Sequence, residues 1–221
     1  MKMTPDYESA ALKAAEILIR YGIKTAPVDP LPILKQIPGV FVLSFEEMSE
    51  ISSISRSSLL CMCGENSQDA VTTVIVEDGK LRYVVAFNQK LPSVVVQRSL
   101  ARELGHIVLG HDGTKPEDVR TAEAVCFANH LLCPRPLLYS IINTGIRITT
   151  EVLGNLTGCY EYCLSCMRKI PAVHIPVELN RIIRDQFMPY ILNFFEYQRI
   201  ASRKDVSALA DFGSYMEGYE E

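Results

Sequence analysis

The sequence lacks three features that would each point to a particular class of protein. No apolar run approaches the roughly 20 residues that a membrane-spanning helix needs. No dense run of lysine and arginine is present, and the net charge of -4 argues against a basic face for nucleic acid. The sequence also has no internal repeat and no low-complexity tract. We therefore expect a protein without membrane spans and without direct nucleic-acid contacts.

The N-terminal segment and the cysteines bear on the cellular compartment. Residues 1–20, MKMTPDYESAALKAAEILIR, do not have the layout of a signal peptide because charges and alanines interrupt the apolar positions. The seven cysteines are an odd number, which favours reduced thiols in a chain without a secretion signal. We therefore expect a cytoplasmic location. A hydrophobic content of 48% with 22% charged residues is typical of a globular protein that buries a core.

The first half of the chain predicts a helix followed by a small sheet. Residues 4–22, TPDYESAALKAAEILIRYG, have a helical apolar stripe, with Thr4 as N-cap and Gly22 as the stop. Residues 40–45 are β-branched and aromatic, and two further β-rich runs flank Asp78-Gly79, a favoured hairpin turn. We expect a sheet of about three antiparallel strands. Residues 46–69, rich in Ser and Glu, are predicted to be a long loop or small insert.

The second half predicts helices, so the expected fold class is α+β. Ser93 can cap a helix that runs to about Leu109, and Thr114 can cap a second helix that runs from near Pro116 to Cys133. Shorter helical segments follow. The last long segment contains Pro189, which should kink or break it.

The segment Arg102-Glu103-Leu104-Gly105-His106 differs by one residue from the His-Glu-x-x-His signature of zinc proteases. On a helix, positions 102 and 106 lie one turn apart on one face, and position 103 lies beside 106. In the signature the two histidines hold the metal and the glutamate activates its bound water. Taken alone the match is weak, because a solvated Glu and a core-edge His three residues apart are common on amphipathic helices.

The surrounding sequence resembles the ImmA/IrrE family of metallo-endopeptidases. The family pattern is His-Glu-Leu-Gly-His, followed by a helix of the form Glu-x-Glu-Ala-Asn-x-Phe-Ala-x-x-Leu-Leu-x-Pro. Here LARELGHIVLGH precedes AEAVCFANHLLCP, and the two patterns align on Phe127-Ala128 and Leu131-Leu132-x-Pro134. The resemblance covers about residues 8–170.

The resemblance implies a zincin-like, ImmA/IrrE-like domain at residues 1–170, with residues 171–221 as a C-terminal helical extension that ends in an acidic tail. Family members are bacterial proteins that cleave helix-turn-helix repressors, often of mobile elements or stress regulons. The resemblance therefore implies zinc as the cofactor and such a repressor as the protein partner.

Residue by residue, the resemblance implies that Glu103 is the general base and His106 the second zinc ligand. Arg102 stands where the first ligand is expected. Thr121 stands where the family has the first Glu of the second helix, the expected third ligand, and Glu123 matches only the second Glu. Positions 121 and 123 are about 200° apart around a helix, so Glu123 cannot simply replace a residue at 121.

An arginine at a ligand position changes the expected chemistry. The Arg102 guanidinium has no lone pair to give, and within about 5 Å of a dication it would repel it by several kcal/mol. Three interpretations follow. Arg102 fills the metal's space and pairs with Glu103 or Glu123; or the metal site is remodelled around His106 and Glu123 with His111 or His130; or the resemblance is coincidental. For His111 and His130 the alternatives are contacts with helix-end carbonyls and helix packing.

The expected function is that of a metallopeptidase-like protein with a degenerate or remodelled zinc site that acts on, or binds, a protein such as a helix-turn-helix repressor. The alternative is a catalytically inactive binding module in which Arg102 replaces the metal. Metal content separates the two.

Three cysteines form a second motif. Cys159, Cys163 and Cys166 have the Cys-x3-Cys-x2-Cys spacing that resembles the radical-SAM iron–sulfur motif, in which three thiolates hold a cluster. On a helix, this spacing also places the three thiols on one face, where free cysteines pack as small hydrophobic residues. The packing interpretation is favoured because no long run of alternating strands and helices follows.

Overall fold

The described residues form a set of helices and one small sheet. A computed structural model describes residues 3–62, 69–77, 79–142 and 173–202. Its elements in chain order are α1 (Tyr7–Arg20), α2 (Pro30–Gln36), β1 (Val40–Ser44), α3 (Phe45–Ser52), α4 (Arg56–Met62), β2 (Ala70–Glu77), β3 (Lys80–Phe87), α5 (Ser93–Val108), α6 (Glu117–Leu132), α7 (Arg135–Ile142) and α8 (Val177–Ser202). The predicted α+β class is confirmed. None of the helices in these ranges combines the length and the apolarity that crossing a bilayer requires.

The first helix ends where the sequence predicts and begins slightly later. Its N-cap is Asp6, whose carboxylate accepts a 2.9 Å hydrogen bond from the Ser9 amide, so the prediction of Thr4 was wrong by two residues. Gly22 follows the last turn with a φ of +59°, a conformation that favours glycine. The buried alanine face of the helix packs on α6, so α1 lies directly against the helix that bears Glu123.

The sheet has three strands in the order β1-β3-β2. The hairpin of β2 and β3 is antiparallel as predicted, with Glu77 opposite Lys80. The expectation of a fully antiparallel sheet was wrong, because β1 runs parallel to β3, from Val40 opposite Tyr83 to Ser44 opposite Phe87. Residues 45–69 join β1 to β2, and a connection of this length allows β3 to lie beside β1.

The described part of residues 46–69 is a small helical insert, the second of the two predicted alternatives, and not a long loop. Helices α3 and α4 occupy residues 45–52 and 56–62. A capping box starts α3: the Ser44 hydroxyl accepts from the Glu47 amide, and the Glu47 carboxylate accepts from the Ser44 amide. Phe45 and Leu59 are buried together with Ala86 of β3. Residues 63–68 lie outside the described part of the chain.

Helices α5 and α6 approach each other very closely at Gly105. A Cβ atom at position 105 would lie 3.0 Å from Cδ1 of Phe127 and 3.3 Å from Cα of Ala124. The predicted starts of these helices were close but not identical. Helix α5 begins at Ser93, so its N-cap is Pro92 and not Ser93, and α6 begins at Glu117, one residue after the predicted Pro116, with Pro116 and not Thr114 as N-cap. The contact at Gly105 positions the two motif helices side by side.

Helix α8 shares the main core with the rest of the chain. Ile183, Phe187 and Ile191 are buried in the same hydrophobic cluster as α1, α5 and α6. The helix continues through Pro189 without a break. The Gln186 amide donates to the carbonyl oxygens of Leu18 and Ile23, both at 3.0 Å. The predicted acidic tail beyond residue 202 and the motif Cys159, Cys163 and Cys166 lie outside the described residues.

Candidate functional site

Glu103 lies on the face of α5 that packs against the sheet. Its side chain is buried, and Oε2 accepts a 2.7 Å hydrogen bond from the Thr72 hydroxyl on β2. Burial raises the pKa of Glu103, and the Thr72 hydrogen bond and the charge of Arg102 oppose this shift without cancelling it. The predicted general base is therefore a buried carboxyl group whose hydrogen bonds come from Thr72 and which tends to hold its proton.

His106, His111 and Glu123 form one hydrogen-bonded chain. Nδ1 of His106 lies 2.8 Å from Nδ1 of His111, and Nε2 of His111 lies 2.8 Å from Oε2 of Glu123. The side chains of His111 and Glu123 are only 1% and 2% exposed, so this pair is shielded from water. Gly110, with a φ of +63°, reverses the chain after α5, and the His111 amide then bonds to the His106 carbonyl at 3.0 Å. The structure thus joins His106 and Glu123 through a third residue.

Glu123 has two further partners. Nζ of Lys115 lies 3.0 Å from Oε1 and 2.8 Å from Oε2, and the Asp6 amide donates to Oε1 at 2.9 Å. Burial raises the pKa of Glu123, but the hydrogen bonds from Asp6, Lys115 and His111 outweigh burial and lower the pKa overall. The carboxylate is therefore ionised and fully engaged, with Lys115 as its counter-ion.

The protonation states determine which atoms donate and which accept in the hydrogen-bonded chain of His106, His111 and Glu123. Burial lowers the pKa of His106 to about 4, with the charges of Arg120 and Arg102 adding to the effect. Burial also lowers the pKa of His111, despite the opposing influence of Glu123. Both rings are neutral at pH 7. Since a carboxylate only accepts, His111 donates through Nε2–H to Glu123 and accepts at Nδ1 from His106. The lone pair of His106 is then at Nε2.

The arrangement does not fit a zinc ion. Zinc ligands surround one point, each about 2.0–2.2 Å from the metal for nitrogen and oxygen. Here the His111 ring lies between His106 and Glu123, so the two expected ligands do not converge, and both nitrogens of His111 are engaged. Among the residues that the structure describes, no group of three His, Cys, Asp or Glu side chains is arranged to hold a metal ion. The Lys115 ammonium adds a positive charge at the same place.

The other predicted residues take different positions. Arg102 is half-buried on α5, and its charge acts on both Glu103 and His106. Thr121 is exposed while Glu123 is buried, so position 123 is the one that faces the site. His130 lies two turns beyond Glu123, only 3% exposed, and burial lowers its pKa to about 4. Nε2 of His130 has no hydrogen-bond partner in the described structure, so His130 does not belong to the hydrogen-bonded chain of His106, His111 and Glu123.

The sequence did not single out the partners Thr72, Lys115 and Asp6. Thr72 lies on β2, where every second side chain faces the same side. This alternation limits the residues that can face α5, but it does not identify Thr72 as the partner of Glu103. Lys115 lies in the segment between α5 and α6, where no periodicity applies. Asp6 contributes its backbone amide, for which the identity of the side chain gives no signal.

Comparisons with known proteins give no information about the role of this site. No protein-family model matches the chain, and neither a curated protein nor a solved structure matches it. The relation to the ImmA/IrrE family therefore stays a prediction from the two motifs.

Proposed function

We propose that this protein is a metallopeptidase-like binding protein that holds a segment of a protein partner without cleaving it. One observation supports the proposal above the others: the His111 ring occupies the space between His106 and Glu123, where a metal would have to lie. From the sequence we expected Arg102 to fill the metal's space and to pair with Glu103 or Glu123, and we now propose that His111 and Lys115 take this place. His111 bridges the two ligand-type residues, and Lys115 supplies the positive charge to Glu123.

The edge of the sheet offers a surface for such a partner. β2 is an outer strand, and within the described residues no strand pairs with its free edge. Val74, Ile75 and Val76 of β2 are 48%, 42% and 72% exposed. An exposed strand edge with apolar side chains accepts an extended peptide as an additional strand. Thr72, which binds Glu103, lies on the same strand, so the peptide would run past the motif helix.

We propose an extended, apolar segment of a protein as the bound partner. Backbone hydrogen bonds to β2 would supply affinity, and the exposed valine and isoleucine side chains would favour apolar residues at alternate positions. The motif resemblance makes a helix-turn-helix repressor the first source of such a segment to test.

A hydrolase with a remodelled metal site is the second candidate. The observation in its favour is that three side chains of metal-binding type, His106, His111 and Glu123, lie in one contiguous chain. Both rings are neutral, as metal ligands must be. This candidate requires the His111 ring to turn and Lys115 to release Glu123, and for that reason it ranks second.

Metal content of the purified full chain is the first test. The binding proposal expects less than about one tenth of an equivalent of zinc, iron or manganese after growth in supplemented medium. One equivalent of tightly held metal would overturn it and favour the second candidate. The variant Arg102→His is the matched control, because a stoichiometric gain of zinc there would show that the wild-type chain lacks only a ligand.

A peptide selection tests the binding surface. Peptides displayed on phage and selected on the full chain are expected to alternate apolar residues, and mass spectrometry should show them intact after incubation. Val76→Lys on β2 should weaken the selected peptides at least about tenfold, which corresponds to about 1.4 kcal/mol. Leu192→Lys, an equally drastic change at a 60% exposed position on α8, should leave binding unchanged. Cleaved peptides, or equal effects of the two variants, would contradict the proposal.

A further inference from the structure

A second concave site lies between α7 and α8, outside the region around Glu103 and Glu123. The cavity has a volume of about 590 Å³, within the range of small-molecule sites. Both helices and residues 173–175 line it. No residue of the His106–His111–Glu123 chain takes part, so the cavity is independent of the function proposed above.

The charged residues that line the cavity are of one sign. Arg135 of α7 and Arg181 and Arg184 of α8 line it, and none of its described lining residues is acidic. Guanidinium groups match the geometry of carboxylate and phosphate oxygens and bind them in bidentate fashion. The first residues of α7 and of the 26-residue helix α8 also line the cavity, and helix N-termini favour negative charge.

Two of the arginines have competing carboxylates on the surface of α8. Nε of Arg181 lies 3.1 Å from Oε2 of Glu178, and Nη2 of Arg184 lies 3.1 Å from Oδ1 of Asp185. All four side chains are about half exposed, and such surface ion pairs stabilise only weakly. A ligand anion can therefore exchange for them. Glu178 and Asp185 reduce the affinity without blocking the cavity, since neither lines it.

The remaining lining is largely apolar. Tyr139 of α7 and Val173 and Ile175 before α8 contribute to the wall. An inorganic ion would leave this surface in contact with water, whereas a ligand with an apolar body would bury it. The lining therefore matches a molecule that has both an anionic group and an apolar part.

We propose that this cavity is a binding site for a small organic anion, in which a phosphate or carboxylate group meets Arg135, Arg181 and Arg184 and an apolar body packs against Tyr139. The shared chemistry is an oxyanion on an apolar body. Phosphate and carboxylate ligands are separate arms of the test below.

Calorimetric titration of the full chain with four probes tests the chemistry. Phenyl phosphate and benzoate represent the two anion sources, phenol lacks the charge, and inorganic phosphate lacks the apolar body. We expect phenyl phosphate or benzoate to bind at least tenfold more tightly than phenol and than inorganic phosphate. The tighter of the two aromatic anions identifies the source. Equal binding of phenol and phenyl phosphate, or no binding of either aromatic anion at millimolar concentration, would overturn the proposal.

Variants of opposite expected sign test the location. Arg135→Gln should weaken the better aromatic anion at least fivefold, whereas Asp185→Asn should strengthen it severalfold because it releases Arg181 and Arg184 from a competitor. Arg98→Gln replaces an exposed arginine of α5 that does not line the cavity, and it should leave affinity unchanged. Circular dichroism confirms that each variant is folded. If Asp185→Asn, an exposed and structurally mild change, leaves affinity the same, the site is not where we place it.

Discussion

Two buried glutamates on neighbouring helices, Glu103 on α5 and Glu123 on α6, have opposite protonation behaviour. They are 8% and 2% exposed, yet the pKa of Glu103 is raised and that of Glu123 is lowered. Glu103 has one hydroxyl partner, whereas Glu123 has a lysine, an imidazole N–H and a backbone amide. The difference shows that burial sets the cost of a charge, while the number and charge of its partners decide whether the charge is kept.

The comparison also separates two kinds of role. Glu123, which lies on α6, joins this helix to the N-cap of α1 through Asp6 and to the segment between α5 and α6 through His111 and Lys115. Glu103 is the carboxyl group that is easier to protonate and to approach from β2.

The variant Glu123→Ala is expected to have the largest effect on stability. It leaves the Asp6 amide and the His111 N–H without their acceptor, and each buried polar group left unsatisfied costs about 1–3 kcal/mol, while Lys115, which is 37% exposed, can be solvated. For a chain of this size the melting temperature should fall by about 10 °C in calorimetry. Glu117→Ala, at an exposed position of the same helix, is the control. A fall no larger than that of the control would mean that Glu123 is not the structural member of the pair.

Acidification is expected to have the next largest effect. In the folded state the pKa of His106 and that of His130 are about 4, against 6.5 for an unfolded histidine, so the unfolded chain binds more protons between these values. Stability is therefore fully present above pH 6.5 and is lost as the pH falls towards 4. We expect the melting temperature to drop by about 6 °C from pH 7 to pH 5. The double variant His106→Gln/His130→Leu should lose most of this slope, and an unchanged slope would refute the assignment.

Gly105→Ala tests the close approach that holds the two glutamate-bearing helices together. The new Cβ would meet a fully buried Phe127 ring at 3.0 Å and the Ala124 backbone at 3.3 Å, neither of which can easily move. We expect a net loss of about 2 kcal/mol, since overpacking exceeds the gain in helix propensity. Chemical denaturation measures it. Gly113→Ala, where nothing lies within 4 Å, should be nearly neutral, and equal results for both would show that the helices are not in tight contact.

Glu103→Gln should have the smallest effect and the opposite sign. A raised pKa means that the folded chain keeps a proton that the unfolded chain has released, so stability falls as the pH rises from 4.5 through the folded pKa. The amide removes this loss and still accepts from Thr72. We expect the variant to be about 1 kcal/mol more stable at pH 7, or about 3 °C in melting temperature. A lower melting temperature would place Glu103 with Glu123 as a structural ion.

The elements that could be predicted from the sequence have local signals. The apolar stripe of α1 with Gly22 and the Asp-Gly signal of the hairpin depend on residues a few positions apart, and the structure contains both the helix and the antiparallel pair of strands β2 and β3. The capping box of Ser44 and Glu47 was also in the sequence, but the serine-rich composition around it suggested a loop. The parallel pairing of β1 with β3 joins residues about 43 positions apart, and no local pattern encodes it.

The residues of the candidate site also fall into two groups, those with a local sequence signal and those positioned only by the packing of the helices. The sequence predicts from helical spacing that Glu103 and His106 lie side by side, and it predicts Glu123 from the second motif. His111 enters the space between His106 and Glu123 because the chain reverses at Gly110. Lys115 neutralises Glu123 because of the path that the chain takes between α5 and α6. Such contacts arise only when α5 and α6 are packed, so the identity of the bridging residue could not be deduced from residue spacing.

The amide of Gln186 has a consequence for the order in which the chain assembles. It supplies the donors for two carbonyl oxygens at the end of α1, Leu18 and Ile23, from 168 and 163 residues farther along the chain. The Leu18 carbonyl also accepts from the Ile23 amide at 3.0 Å, whereas the Ile23 carbonyl gains the Gln186 donor only after residue 186 has left the ribosome. This contact with α8 therefore forms later in synthesis than the hydrogen bonds within α1.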